Sequence, residues 1–300
     1  MKHLRSRYNK DTTYGKGFVL DMRILEQNQV AAFARKLHEN ECAAGTIAKY
    51  RHDMQQFCQW AENRPVSREL ANEWKEHLVS AHYAPATINS MLAALNGFFR
   101  FLGWDDCRVK FLKIQRKLFR DTARELTRAE YEQLIRTAET QGKHRLALLM
   151  EAICATGVRV SEVKYLTVEA ARSGCAEISL KGKIRTILLP NKLCRKLLKY
   201  AKKQKIASGE IFLTKSGKGL SRRQIWAEMK RLCAAAGVEP SKVFPHNLRH
   251  LFATAFYRAC KDIAKLADVL GHSSIETTRI YLVTSGTEHR KQLDRLGLVG

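Results

Sequence analysis

Three short stretches of this chain carry residues whose types and spacing suit chemistry on a phosphate. ATGVRVSEVKYL holds Arg159 and Glu162, VFPHNLRHLFATAF holds His246 and Arg249, and LGHSSIETTRIYL holds His272 and Tyr281. A histidine, with an unperturbed pKa of ~6.5, exchanges protons near neutrality. A guanidinium presents a planar fork of donors that matches phosphate oxygens. A phenol, with a pKa of ~10, is a weak nucleophile until a base or nearby cations favour its anion. Taken singly, each residue has an ordinary reading: a surface arginine, a structural histidine, a core tyrosine. Arg-x-x-Glu, then His-x-x-Arg, then Gly-His with a tyrosine nine residues on, is an ordered set that chance rarely assembles.

The elements that must position this set are legible in outline. Gly157 ends one helix and Arg159 opens the next, with Glu162 a turn later on the same face. Pro245 suits a first helical turn. The helix it opens has an expected buried stripe of Leu248, Phe252, Ala255, Phe256 and Ala259. His246 and Arg249, at i and i+3, lie together on the flank of that stripe, and His250 is expected in a helix-surface hydrogen bond. Ser273 and Glu276 read as a capping box, which puts His272 just before a helix N-terminus. Nine residues of unbroken helix would span ~13 Å. His272 and Tyr281 therefore reach one phosphate only if the chain turns at His272–Ser273, or if a neighbouring subunit delivers the tyrosine.

The remainder reads as mainly helical with a small β-sheet, an α+β protein in two domains. Residues 1–23 form a basic tail with Lys2, Arg5, Arg7, Lys10 and Lys16. Four helices are expected over 24–104, with Ile47, Tyr50, Met54, Phe57, Cys58 and Ala61 at helical spacing and Pro85 opening the last. Lys49, Arg51, Arg68 and Lys75 fall on the opposite faces. Residues 105–124 lose periodicity and turn basic, including Arg116 and Lys117, as a linker would. From 125 onward a capping box at Thr127–Glu130 starts a helix, CAEISLKGKIRTILLP reads as a hairpin, and helices fill 192–205, 221–236, 245–260, 263–270 and 274–283.

Composition selects the partner. Lys and Arg number 53 against 29 Asp and Glu, a net charge of +24, which points to a polyanion. No apolar run approaches the ~18 residues that span a bilayer, so nucleic acid is favoured over a membrane. The N-terminus lacks the apolar stretch of a secretory signal. Eight scattered cysteines without a Cys-x-x-Cys pair read as reduced thiols of a cytoplasmic protein. No cluster of Asp and Glu suits a two-metal site, so neither metal nor other cofactor is expected.

TGVRVSE, HNLRHLFAT and LGHSSIETTRIY, in this order, resemble the three boxes of the tyrosine recombinase, or phage integrase, family. The resemblance covers 125 to about 284 strongly and 24–103 more loosely, and is greatest to Xer-type recombinases and mobile-element integrases. It implies an N-terminal four-helix, SAM-like core-binding domain and a C-terminal mixed α/β catalytic domain that together form a C-shaped clamp on DNA. It further implies that Tyr281 is the nucleophile, that Arg159 and Arg249 grip the scissile phosphate, and that His246 and His272 complete the cage. Lys181 in the hairpin becomes the general acid for the leaving 5′ oxygen, with Lys183 the alternative, and Glu162 buttresses the arginines. Covalent attack would store the backbone bond as a 3′-phosphotyrosine, so strand exchange needs no ATP. The C-terminal tip, with Leu293, Leu296, Leu298 and Val299, would dock into the next protomer of a tetramer on paired inverted sites. Integration or excision of a mobile element and dimer resolution both fit. Two rivals stay open at this point: a type IB topoisomerase that relaxes supercoils without choosing a site, and a non-catalytic DNA-binding architectural protein.

Overall fold

The computed structural model describes residues 23–114, 124–180, 183–281, 290 and 294–297. The chain divides into two compact units, 1–116 and 117–300.

Among the described residues, the first unit contains the α-helices α1 (Gln27–Glu39), α2 (Ala44–Ala61), α3 (Arg68–Ser80) and α4 (Pro85–Phe101). Each start has a local cause. Gln29 accepts from the Glu26 N–H at 3.1 Å ahead of α1. The Ser67 hydroxyl caps α3 by accepting from Leu70 N–H at 3.2 Å, and Pro85 occupies the first turn of α4, where its missing N–H costs nothing. The aromatic-rich core comprises Phe33, Met54, Phe57, Trp74, Leu92, Phe98 and Phe99, all buried. Asn89 and Asn96, two turns apart on α4, each bridge the N–H and C=O of one residue, Leu112 and Val109 respectively, at 2.8–3.0 Å. Side-chain amides thereby substitute for a strand partner, and the segment after α4 is pinned to the helix.

The second unit contains α5 (Arg128–Thr140), α6 (His144–Thr156), a 3₁₀ turn (Val160–Tyr165), α7 (Val168–Ser173), the antiparallel pair β1 (Cys175–Leu180) and β2 (Lys183–Leu188), α8 (Asn191–Lys203), α9 (Arg222–Ala236), α10 (Pro245–Cys260), α11 (Ile263–Leu270) and α12 (Ile275–Arg279). The expected capping box opens α5: Thr127 Oγ1 accepts from Glu130 N–H at 3.2 Å and Glu130 accepts from Thr127 N–H at 2.8 Å. The hairpin pairs Cys175 with Leu188 and Leu180 with Lys183. Its inner face contributes Ala176, Ile178 and Ile187 to a core centred on α6, whose Leu146 to Met150, Ala152 and Ile153 are all buried. Ala253, Leu266, Leu270 and Tyr281 form a smaller apolar cluster between α10, α11 and the end of α12.

Several local expectations need correction. Ala255 and Ala259 of α10 are exposed, whereas Arg249 and Ala253 join Leu248 in the buried face. A methyl group contributes too little apolar area to compel burial, and Arg249 is buried because backbone carbonyls receive its donors. The α12 cap is Ser274, not Ser273; the Ser274 hydroxyl accepts from Glu276 N–H at 3.2 Å. Starting one residue later leaves His272 N–H free to bond Ala267 O at 3.0 Å. Among the described residues no helix is long and apolar enough to cross a membrane, and the eight cysteines are free thiols.

Candidate active site

Two glycines bring the site together. Gly157 ends α6 with φ +65°, and a Cβ there would lie 2.5 Å from the Phe252 ring. Only the smallest residue lets α6 and α10 approach so closely in this left-handed turn. Gly271 ends α11 with φ +62°, and a Cβ there would run into the Arg185 side chain. The carbonyls these turns expose become acceptors. Arg249, 3% exposed, donates to Gly157 O, to Leu270 O at 2.8 Å and to His272 Nε2 at 2.9 Å, and it lines the same cavity as Tyr281. Burial, followed by the nearby Arg159 charge, pushes the Arg249 guanidinium down to about 10, with the nearby Tyr281 acting in the opposite sense. It stays cationic at neutral pH.

Arg159 caps the 3₁₀ turn. Its backbone N–H donates to Glu162 Oε2 at 2.8 Å and its guanidinium to Glu162 Oε1 at 2.9 Å and Gly271 O at 3.3 Å. Glu162 is buried and receives Arg185 as well, at 2.5 Å. Burial alone would raise this carboxyl, but the Arg159 N–H and the two guanidiniums outweigh it and hold it below the usual carboxylate range. Arg185 also donates to Val269 O at 3.2 Å. Glu162 therefore ties the hairpin, the 3₁₀ turn and, through its partners, the α11 terminus into one charged frame.

The chain does turn after His272. The His272 and Tyr281 rings lie 5.9 Å apart and nearly parallel, at 11°, within a single chain. His246 and His250 are 6.1 and 5.0 Å from the same tyrosine ring, so His250 also faces Tyr281. Tyr281 is 3% exposed. Arg159, His246, Arg249, His272 and Tyr281 line one cavity of about 510 Å³, together with Trp226 and Phe244. His246, at its exposed rim, is pushed below its ordinary value by partial desolvation, then by Arg249 and Arg159. His272 is pushed down to about 4 by desolvation, then by Arg249, Arg159 and Arg185. Both imidazoles are neutral at pH 7 in the free protein.

Other expected site residues fall elsewhere. Lys181 lies outside the described residues, as do Arg116, Lys117, the 1–22 part of the basic tail, and Leu293, Leu298 and Val299 of the tip; nothing describes the Lys183 side chain. Lys49, Arg51 and Arg68 are exposed and Lys75 is half-buried; Lys49 pairs with the buried Asp53. Sequence reasoning missed Arg185 and Thr278. Arg185 had a signal: it shares the inward face of β2 with the buried Ile187, in line with the buried Leu189 just past the strand, and a lone cation on such a face needs a partner.

With this geometry in hand, the comparisons assign the class. Residues 124–287 match the model of the phage integrase family, and residues 28–106 match that of the phage integrase N-terminal SAM-like domain. The chain is 31% identical over 279 residues to tyrosine recombinase XerC of Roseiflexus sp. (strain RS-1), covering 85% of this chain and 88% of that protein. It is 29% identical over 280 residues to tyrosine recombinase XerD of Vibrio cholerae, covering 87% and 91%. Its fold is similar to that of the lambda integrase in a tetramer bound to a Holliday junction, with a TM-score of 0.70 at 16% identity over 87% of this chain and 78% of that one. The chain belongs to the phage integrase family and is a tyrosine-type site-specific recombinase, with a SAM-like core-binding domain and an integrase catalytic domain.

Proposed function

We propose that the protein cuts and rejoins duplex DNA at paired inverted sites through a 3′-phosphotyrosine formed on Tyr281, each protomer using its own tyrosine. The observation that carries this reading is the convergence of Tyr281, Arg159, His246, Arg249 and His272 on one cavity, with the His246 and His272 rings 6.1 and 5.9 Å from the Tyr281 ring. A phosphodiester placed there would meet guanidinium donors from two elements, which match the charge gathering on its non-bridging oxygens during attack.

The reaction then runs as follows. Neutral His246 accepts the phenolic proton of Tyr281 as the oxygen bonds to phosphorus. The bond from phosphorus to the 5′ oxygen breaks, and a hairpin lysine, Lys181 or Lys183, gives that oxygen its proton. The product is a 3′-phosphotyrosine and a free 5′ hydroxyl. In the second step a 5′ hydroxyl from the partner duplex attacks the same phosphorus, the hairpin lysine recovers a proton, and His246 returns one to the tyrosine. One phosphoester replaces another at each stage, so no nucleotide is consumed.

The net charge of +24 favours a duplex, because each neutralised phosphate releases counterions. Lys49, Arg51, Arg68, Lys75, Arg116 and Lys117 are the proposed contacts to the DNA backbone, and the C-terminal tip joins four protomers across two sites. Free thiols suit the cytoplasm, where a mobile element or a chromosome dimer would be acted upon.

The test uses a supercoiled plasmid carrying two copies of a site recovered by selection from random DNA fragments. Recombinant products from the wild type, and none from Tyr281→Phe, are expected. Relaxed circles without recombinants would favour topoisomerase-like action, and binding without any strand breakage would favour an architectural role.

A further inference from the structure

Thr278 is fully buried, and it holds two parts of the site at once. Its hydroxyl lies 2.9 Å from His272 Nδ1, and its carbonyl accepts from the Tyr281 backbone N–H at 3.0 Å. The other ring nitrogen, Nε2, faces Arg249 Nη2 at 2.9 Å. A guanidinium has donors only, so Nε2 must accept. The single proton of the neutral ring is therefore on Nδ1, and in the free protein His272 donates to Thr278 Oγ1. This tautomer is the wrong one for a phosphate. Non-bridging oxygens only accept, so Nε2 must become a donor when Arg249 turns to the phosphate.

We infer that Thr278 is a positioning residue for the reaction: its hydroxyl accepts from His272 Nδ1 in the free protein, then rotates to donate to it once Nε2 carries the proton that meets the scissile phosphate. The proton count of the ring does not change. One proton leaves Nδ1 for water, one from water enters at Nε2, and the hydroxyl keeps its own hydrogen throughout. A hydroxyl is both donor and acceptor, so it serves both tautomers without moving its oxygen. Valine, of nearly the same shape, would serve neither. Protonating the ring instead would also load Nε2, but Arg249, Arg159 and Arg185 oppose a fourth cation there. Because the Thr278 carbonyl also holds the Tyr281 N–H, the histidine and the nucleophile keep one registration as the tautomer changes.

This inference rests on the reading of the cavity as a phosphate site, and the experiment separates the two. The full-length protein is labelled with ¹⁵N in its histidine rings, the His272 signals are assigned with His272→Gln, and inorganic phosphate is titrated in at pH 7.5. Covalent-complex formation is followed in parallel on the selected duplex at saturating protein. In the wild type and in Thr278→Ser, Nε2 changes from acceptor-type to donor-type as phosphate binds, and the cleavage rates agree within three-fold. In Thr278→Val the change is lost and cleavage falls at least ten-fold, while DNA affinity stays within two-fold. Should the valine variant melt early, Thr278→Ser, which keeps the hydroxyl but not the methyl, still cleaves, and Thr278→Ala does not. Wild-type cleavage by Thr278→Val or Thr278→Ala overturns the role of Thr278 and leaves the phosphate site standing. A wild-type His272 that keeps its Nε2 acceptor while other site signals shift with phosphate overturns the tautomer exchange alone, and no shift in any site signal overturns the phosphate site as well.

Discussion

Replacing Glu162 with alanine is expected to cost stability, and the structure says which partner sets the size. The carboxylate accepts from Arg159 N–H at 2.8 Å, from Arg159 Nη1 at 2.9 Å and from Arg185 Nη2 at 2.5 Å. The Arg159 side chain is 40% exposed and the Arg185 side chain 15%. Released Arg159 returns to water, and its half of the interaction is worth about 0.5 kcal/mol. Released Arg185 stays inside beside Val269 O with its charge uncompensated, and breaking a buried pair in this way costs about 3–5 kcal/mol. In a domain of this size each 1 kcal/mol moves Tm by roughly 2–4 °C, so a fall of about 10 °C is expected by calorimetry on the full chain. Adding Arg185→Leu removes the orphaned charge and should restore about 2 kcal/mol. A loss under about 1 kcal/mol for Glu162→Ala, or a double variant no better than the sum of the singles, would refute the reasoning. Acid probes the same frame: Glu162 is held below the ordinary carboxylate range, so its contribution is complete above pH ~4.3 and disappears as pH falls through the lower folded value.

Two further predictions concern the histidine and the tip. His272 titrates at about 4 in the fold and near ~6.5 when unfolded, so the unfolded chain binds more protons between these values and stability is lost as pH falls from 6.5 towards 4. That gap is worth about 3 kcal/mol for a dry site, cut to about 1–2 kcal/mol by partial solvent access. Thermal unfolding from pH 7 to 4.5 should therefore fall more steeply for the wild type than for His272→Gln, and parallel curves would contradict it. Deleting Thr287 onward should leave single-site DNA binding intact and abolish the four-protomer complex, which sedimentation velocity on DNA would read; unchanged assembly would remove the tip from the account.

Punctuating residues decided how much of this was legible. Pro245, Gly157 and Gly271 mark element ends by backbone geometry that few other residues adopt, and α10 and α11 accordingly run Pro245–Cys260 and Ile263–Leu270 as read. Short elements carry less than two helical turns of pattern, which is why α7 was not foreseen and the helix read as opening at Arg159 is a six-residue 3₁₀ turn. Ser273 and Ser274 are equally good caps in sequence, and only the His272 N–H bond to Ala267 O chooses between them. The candidate site residues could be named because three stretches resemble the boxes of a known family, but their energetics could not. Periodicity treats a charge as outward-facing, whereas Arg249 is buried by the Gly157 and Leu270 carbonyls that only the folded turns present. Thr278 reads as one more polar helix residue until His272 is seen 2.9 Å away.

The most direct test of the central claim is to digest a trapped protein–DNA complex and read the linkage by mass spectrometry. A suicide duplex that loses its short 5′ fragment after nicking prevents religation and holds the intermediate. The account predicts a single modified peptide, with a 3′-nucleotide phosphate on the Tyr281 phenolic oxygen. A linkage on any other side chain, or an intact Tyr281 in a duplex that has nonetheless been cut, would contradict it.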